Sequence, residues 1–390
     1  MDGGKYHFPK QSKRALIAYL QYPTCYTGDD MKPLKTRLAA ALLSALVAGA
    51  CGNSFAFDGW KLESSAAIPG KNSAWDYVSL DAVHNRLFIG RRGNGLQVYD
   101  LASQTVIQTV AHTAANSSNG ATLVPEFDLG LSYNENGTLT PFKLSTLEAA
   151  ADIKLGEELD SAHYDPATKR LVVNMASGKD GTDLVVLQLP GLQVLGSIKV
   201  STKKPEHAEA DGKGNLYLAA RDENSVYRVN IKDMTVTARW PTPGCAQTNG
   251  LAFDALNGRI FVGCRGSASV KPSFAVLNAD TGNVIYTAEI GGGNDDVIFD
   301  AELKRIFLAN GVNAVMNVFE QLDADTYKPL EALGTQAGVR TMAMHPKTKK
   351  LYAVTAEGSA DYSKKITTSV SPYYANTFFP DRFFVLTYGK

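Results

Sequence analysis

The sequence predicts an all-β fold: a seven-bladed β-propeller of four-stranded antiparallel blades, closed by an N-terminal strand that completes the last blade. Three observations predict it. A short motif recurs along the chain every 41 to 46 residues, a period that marks repeat architectures. Each copy is followed by β-type runs separated by turns, enough for four short strands. The last copy lacks its fourth strand, and a strand with no blade of its own stands near residue 60.

The motif opens on a polar residue and reaches a turn-opening Asp or His five positions later. The pairs are Asp76 and Asp81, Asp160 and Asp165, Glu206 and Asp211, Asn249 and Asp254, Asp295 and Asp300, and Arg340 and His345. A degenerate copy opens on Asn119, with Pro125 and Glu126 where the turn should be. In five copies a basic residue stands ten positions after the opener: Arg86, Arg170, Arg259, Arg305 and Lys350. The stretch 248–265 shows the unit at its clearest, two β-type runs around Asn257-Gly258, which reads as a hairpin. Third strands follow at 96–101 and 226–231, and fourth strands at 105–110 and 235–240. The seventh copy ends on its third strand at 383–387, and the segment 60–68 stands where a preceding fourth strand should. A propeller ring needs such a latch, because open terminal blades would expose sheet edges. A long insertion, 356–382, interrupts the seventh copy and carries Tyr362, Tyr373, Tyr374, Phe378 and Phe379. A loop of that length predicts a lid or a binding loop.

Three segments divide the chain. Residues 1–30 have no periodicity and read as an extension upstream of the true start, Met31. Residues 31–56 read as a signal peptide: Lys32, Lys35 and Arg37 form the basic region, 38–49 the apolar region, and Ser54-Phe55-Ala56 the cleavage site. Processing at Cys51 to give a lipid anchor is the competing reading. Residues 57–390 form the single propeller domain. The expected location is periplasmic, and the mature chain has no apolar run long enough to span a bilayer. Its net charge is about −4, which argues against nucleic-acid binding.

The repeated apolar-Asp-x-x-x-x-Arg-Ile/Leu-Phe/Tyr-Val pattern resembles the YncE-like, YVTN-repeat propellers, which are exported bacterial proteins. The resemblance covers 57–390 and implies the fold more than an activity. Single-stranded DNA binding is associated with that family, and the acidic balance of this chain does not favour it. The pattern is also similar to lactonase, quinoprotein dehydrogenase and metal-dependent gluconolactonase propellers. The gluconolactonase likeness lies in 249–254 and implies a Ca²⁺ held by Asn249 and Asp295, with Glu206 beside them. The departures are a count of seven blades against six, and Asp295-Asp296 where that family has Asp-Gly.

The seven openers should ring one mouth of the central channel: Asp76, Asn119, Asp160, Glu206, Asn249, Asp295 and Arg340. Such an oxygen-rich ring suits Ca²⁺ or a polyhydroxy ligand, and equally a strand start that only needs solvation. Arg92, Arg221 and Arg265 fall at the ends of second strands beside the ring. They read either as partners of the ring carboxylates or as a grip on a sugar acid or peptide terminus. His207 follows Glu206 at the ring and is the one candidate base. Cys245 and Cys264 are the only cysteines of the mature chain, and in an oxidising compartment they should pair. No histidine pair has metal-ligand spacing, and no Gly-x-Ser-x-Gly elbow or phosphate loop appears. The expectation is a monomeric, non-enzymatic propeller that binds a small ligand or protein partner at the ring mouth. The alternative is a Ca²⁺-assisted lactonase.

Overall fold

The computed structural model describes residues 59–71, 74–361, 363 and 377–390. The expected signal peptide, its cleavage site and Cys51 lie outside these residues, as do Tyr362, Tyr373 and Tyr374. Among the described residues the regular structure is almost entirely strand, joined by turns. β1 (Lys61–Ile68) comes first. Blade one holds β2 (Val78–Asp81), β3 (Arg86–Gly90), β4 (Leu96–Asp100) and β5 (Thr105–Thr109). Blade two holds β6 (Ser118–Val124), β7 (Leu129–Asn134), β8 (Thr138–Lys143) and β9 (Ile153–Lys154). Blade three holds β10 (Leu159–Asp165), β11 (Arg170–Met175), β12 (Thr182–Gln188) and β13 (Gln193–Val200). Blade four holds β14 (Pro205–Ala210), β15 (Asn215–Ala220), β16 (Ser225–Asn230) and β17 (Thr235–Pro241). Blade five holds β18 (Thr248–Asp254), β19 (Arg259–Cys264), β20 (Ser273–Asn278) and β21 (Val284–Glu289). Blade six holds β22 (Asn294–Asp300), β23 (Arg305–Asn310), β24 (Val315–Gln321) and β25 (Tyr327–Gly334). Blade seven holds β26 (Met342–Met344), β27 (Leu351–Ser359) and β28 (Thr377–Gly389), and β1 completes it.

Each blade is an antiparallel sheet paired in sequence order, so the first strand lies at one edge and the fourth at the other. The first strands touch one another in succession around the ring, and β2 meets β26 to close it. Seven blades and closure by the N-terminal strand are as the repeat predicts. The latch is explicit: Ala66 pairs with Val385 and Ile68 with Phe383. Trp60, just before β1, packs edge-on against Phe307 of blade six, ring centres 5.1 Å apart.

The core lies between blades. Second and third strands are apolar and buried on both faces, while fourth strands such as β5 are largely exposed. Phe88 of blade one meets Phe142 of blade two at 5.3 Å, within one cluster with Val98 and Ala121. Burying such side chains contributes roughly 1.5–3 kcal/mol each. The hairpin turns explain the motif's second residue. Asp254 Oδ1 accepts the N–H groups of Leu256 and Asn257, and Asp81 does the same for Val83 and His84. His345 replaces Asp because its Nδ1 accepts the N–H groups of Lys347 and Thr348. A side-chain acceptor fixing its own turn is the Asx logic, met here by an imidazole.

Three local features differ from the sequence reading. In the degenerate copy, Pro125–Phe127 forms a 3-10 turn that replaces the Asx turn, with Asp128 left-handed at φ 52°. A short helical turn, α1 (Thr113–Asn116), links blades one and two. The described ends of the 356–382 insertion are largely strand: β27 and β28 run past the blade as a paired extension, with Gly358 opposite Phe378 and Ser359 opposite Thr377. Cys245 and Cys264 are disulfide-bonded, Cα atoms 5.4 Å apart. Cys264 pairs in register with Thr248, one residue from the expected Asn249.

Candidate functional site

Five of the seven ring openers sit where the first strands bulge, while Asp76 and Arg340 stand just before theirs. In blade two Ser118 faces Asn134 and Gly120 faces Tyr133, so Asn119 is an extra residue. Asp160 and Asp295 are extra in the same way, and the shifts at Glu206 and Asn249 span the opener and its successor. A bulge re-aims one side chain without ending the strand. In these blades it turns the opener off the alternation of the strand.

The re-aimed groups mostly meet one another. Arg92 pairs with Asp76 at 2.8 Å and also with Glu135. Arg221 lies 2.7 Å from Glu206. Asp295 stands between Arg265 and Arg340, the latter at 2.9 Å. Lys204 is the nearest cation to Asp160, at 3.9 Å. Several contacts cross between blades: Asn119 Nδ2 donates to Leu159 O at 2.8 Å, Arg265 Nε to Asn294 O at 3.0 Å, and Thr341 Oγ1 to Asp76 O at 2.7 Å. The sequence left these arginines as either partners of the carboxylates or grips for a ligand; here they are partners. Asn249 is the exception. It is fully buried, and neither carboxamide atom has a hydrogen-bond partner.

Glu206, Asn249 and Asp295 do not fit a divalent cation. Each carboxylate of the set already faces an arginine, which supplies the charge a Ca²⁺ would bring. Among the described residues, no group of three or more His, Cys, Asp or Glu is placed to hold a metal ion.

Beyond the ring, a cavity of about 620 Å³ opens along the channel. The first strand of every blade lines it, through residues one to four positions past the openers. Close to the ring lie Tyr77, His207 and Asp296, with Tyr133 from β7; Phe253, Phe299 and Tyr164 lie toward the turn ends of their strands. Tyr77 meets Tyr133 at 6.1 Å and His207 at 5.9 Å, and His207 meets His163 edge-on at 5.3 Å. Gly120 permits this packing, since a Cβ there would stand 2.5 Å from the Tyr133 hydroxyl. His207 Nε2 bonds to Glu209 at 3.3 Å, and its Nδ1 has no partner. Asp296 Oδ2 accepts the Met342 N–H at 3.0 Å. Among the described residues, no lysine or arginine lines the cavity.

Burial shapes the protonation of these groups. It pushes Asp296 up to about 6, against the opposing pull of His207 and of backbone N–H donors. Burial holds His163 well below the ordinary histidine range, and the neighbouring His207 adds to this. Burial also disfavours charge on His207, yet the Glu209 hydrogen bond and the charges of Glu209, Asp296 and Glu206 carry it above the ordinary value. The two cavity histidines are thus pushed in opposite directions, His163 toward its neutral form and His207 toward its charged one. Ser161 Oγ lies 3.1 Å from His163 Nε2, but among the described residues no carboxylate pairs with His163 to orient it. The pair lacks the third member that nucleophilic triads use.

Sequence reasoning reached the ring and His207 and missed Tyr77, Tyr133, His163 and Asp296 as one group. Their common signal is the repeat itself. His207 and Asp296 each stand one residue after an opener, and His163 stands three after. Those positions project to the channel side of neighbouring first strands.

No family model matches the chain, and no curated protein matches it. Solved structures do match. One similar chain belongs to the crystal structure of the mitotic checkpoint complex, with TM-score 0.65 and 12% identity, covering 75% of this chain and 91% of that one. Another is Kuenenia stuttgartiensis hydrazine synthase, with TM-score 0.63 and 15% identity, covering 78% and 98%. At these identities the likeness shows the β-propeller fold and leaves activity to the site.

Proposed function

We propose that this chain is an exported, non-enzymatic binding propeller that takes a small polar ligand into the channel cavity. The observation that carries the reading is the cavity itself: about 620 Å³, touched by the first strand of all seven blades. Sites of that size, with a few convergent polar groups among aromatic walls, are the usual form of ligand pockets. The ring openers then act chiefly as a charge-balanced collar that locks blade to blade. Asn249 is the collar residue with neither side-chain polar atom hydrogen-bonded, and Asn119 Oδ1 and Asp160 Oδ2 are likewise open. Export and the YncE-like relationship rest on the 31–56 segment and on the repeat pattern. The pairing of Glu206 and Asp295 with arginines favours this reading over the lactonase alternative.

A thermal-shift screen of the purified protein against a library of small polar compounds tests the reading. At least one compound should raise the melting temperature by several degrees, as binding to the native state requires. That shift should vanish in Ser79→Trp, which puts an indole into the cavity that Ser79 lines. Glu209→Gln, at a half-exposed cavity position, serves as a second and milder variant. Compounds that stabilise wild type and both variants alike would move the site elsewhere. A screen with no stabilising compound would remove the reading.

A further inference from the structure

We infer that the cavity selects an organic cation, a small molecule carrying one ammonium group and an apolar body. The inference rests on the proposed binding role and names its ligand class. Its basis is the distribution of charge along the channel. The cations of the collar, Arg92, Arg221, Arg265 and Arg340, are all engaged with collar carboxylates, and none of them lines the cavity. The carboxylates facing the cavity are Asp296 and Glu209, with the His207 imidazole beside them. Two carboxylates against at most one imidazolium leave a net negative charge in a concave space. A cation offsets that charge, whereas an anion would add to it.

The walls agree with the charge. Tyr77, Tyr133, Tyr164, Phe253 and Phe299 all border the cavity, and aromatic faces attract ammonium groups through the ring quadrupole. Asp296 is the inner anchor. It is buried, and it accepts the Met342 N–H at Oδ2 and the Val297 N–H. Glu209 is the outer anchor, more exposed and shared with His207. A cation drawn in along the aromatic wall would meet Glu209 first and Asp296 last.

Isothermal titration calorimetry on the purified protein at pH 7.5 tests this, with butylammonium, tetramethylammonium, 1-butanol and butyrate as probes. The ammonium probes should bind saturably and at least tenfold more tightly than butanol or butyrate. Asp296→Asn and Glu209→Gln should each weaken them about tenfold, the loss of one charge contact. Glu289→Gln, on the exposed β21 and paired with Lys271, should leave them unchanged. If Asp296→Asn does not fold, Glu209→Gln alone decides. Butanol or butyrate binding as well as the ammonium probes overturns the cation class but leaves the cavity as a ligand site. Ammonium binding unchanged in Glu209→Gln and in any folded Asp296→Asn also overturns the inference, since the cation then sits elsewhere. Absence of ammonium binding overturns it as well, while the wider library screen still stands or falls on its own result.

Discussion

Asp296 concentrates the chemistry of the cavity in one side chain. Three charged or titratable groups face it: His207 and Glu209 from β14, and Tyr133 from β7. The N–H groups of Met342 and Val297 also donate to its carboxylate. Its folded pKa of about 6 lies above the ordinary value near 3.9, so the fold penalises its charged form. The sign follows from linkage: the native state binds the extra proton between about pH 4 and 6, so stability falls as pH rises through that window. A shift of about two units corresponds to roughly 3 kcal/mol at most. Asp296→Asn should remove this step, making the variant more stable than wild type by about 1–3 kcal/mol at pH 8 and equal to it near pH 4. Urea unfolding across that range reads the difference, and parallel profiles for the two proteins would refute the assignment. The same substitution removes a charge that raises the His207 pKa. The His207 ring should therefore titrate lower, as followed by its ring carbon–proton NMR signals.

Among the elements, the hairpin of β18 and β19 shows how much local sequence carries. Asn257-Gly258, the Asx turn at Asp254 and the strand that starts at Arg259 are all legible from residue types alone. The bulge at Asn249 is not, because no residue in the strand announces an unpaired position. It arises where the first strand must keep its pairing to β19 while its neighbour blade presses close. Gly263 reflects that closeness, since a Cβ there would fall on the Asn294 side chain of blade six. The disulfide ties the loop before β18 to the end of β19. Cross-linking residues 19 apart in sequence limits the unfolded chain by roughly 3 kcal/mol. A Cys245→Ala/Cys264→Ala protein should lose about 2–4 kcal/mol in denaturant unfolding. An unchanged midpoint would mean the bond constrains nothing that the blade packing does not already hold.

At the level of the whole molecule, β1 is the single strand that joins the two ends of the ring. Its pairing to β28 runs from Lys61 to Ile68, and Trp60 anchors it in the cluster shared with Phe307 and Tyr388. A chain beginning at Pro69 would leave β28 as an unpaired edge and empty the Trp60 pocket. Loss of a buried Trp alone costs about 3–5 kcal/mol, and a long bare edge invites pairing between copies. The truncated protein should melt well below wild type and self-associate on size-exclusion chromatography with light scattering. A monomer of unchanged melting temperature would show that the ring is held by blade contacts without the latch.

The repeat spacing, the strand-turn alternation, the blade count and the closing strand could all be read from the amino acids in order. Each depends on local pattern at a fixed period, which one sequence displays in full. What the tertiary structure alone decided is which polar residues are spent on the fold and which remain for a ligand. Asp76, Glu206 and Asp295 look as available in the sequence as Asp296. Arginines at the ends of the second strands then pair with the first three, while Asp296, one residue past its opener, faces the channel. That partition depends on side-chain direction and on partner charges that stand from 15 positions away, as Arg221 from Glu206, to 45, as Arg340 from Asp295.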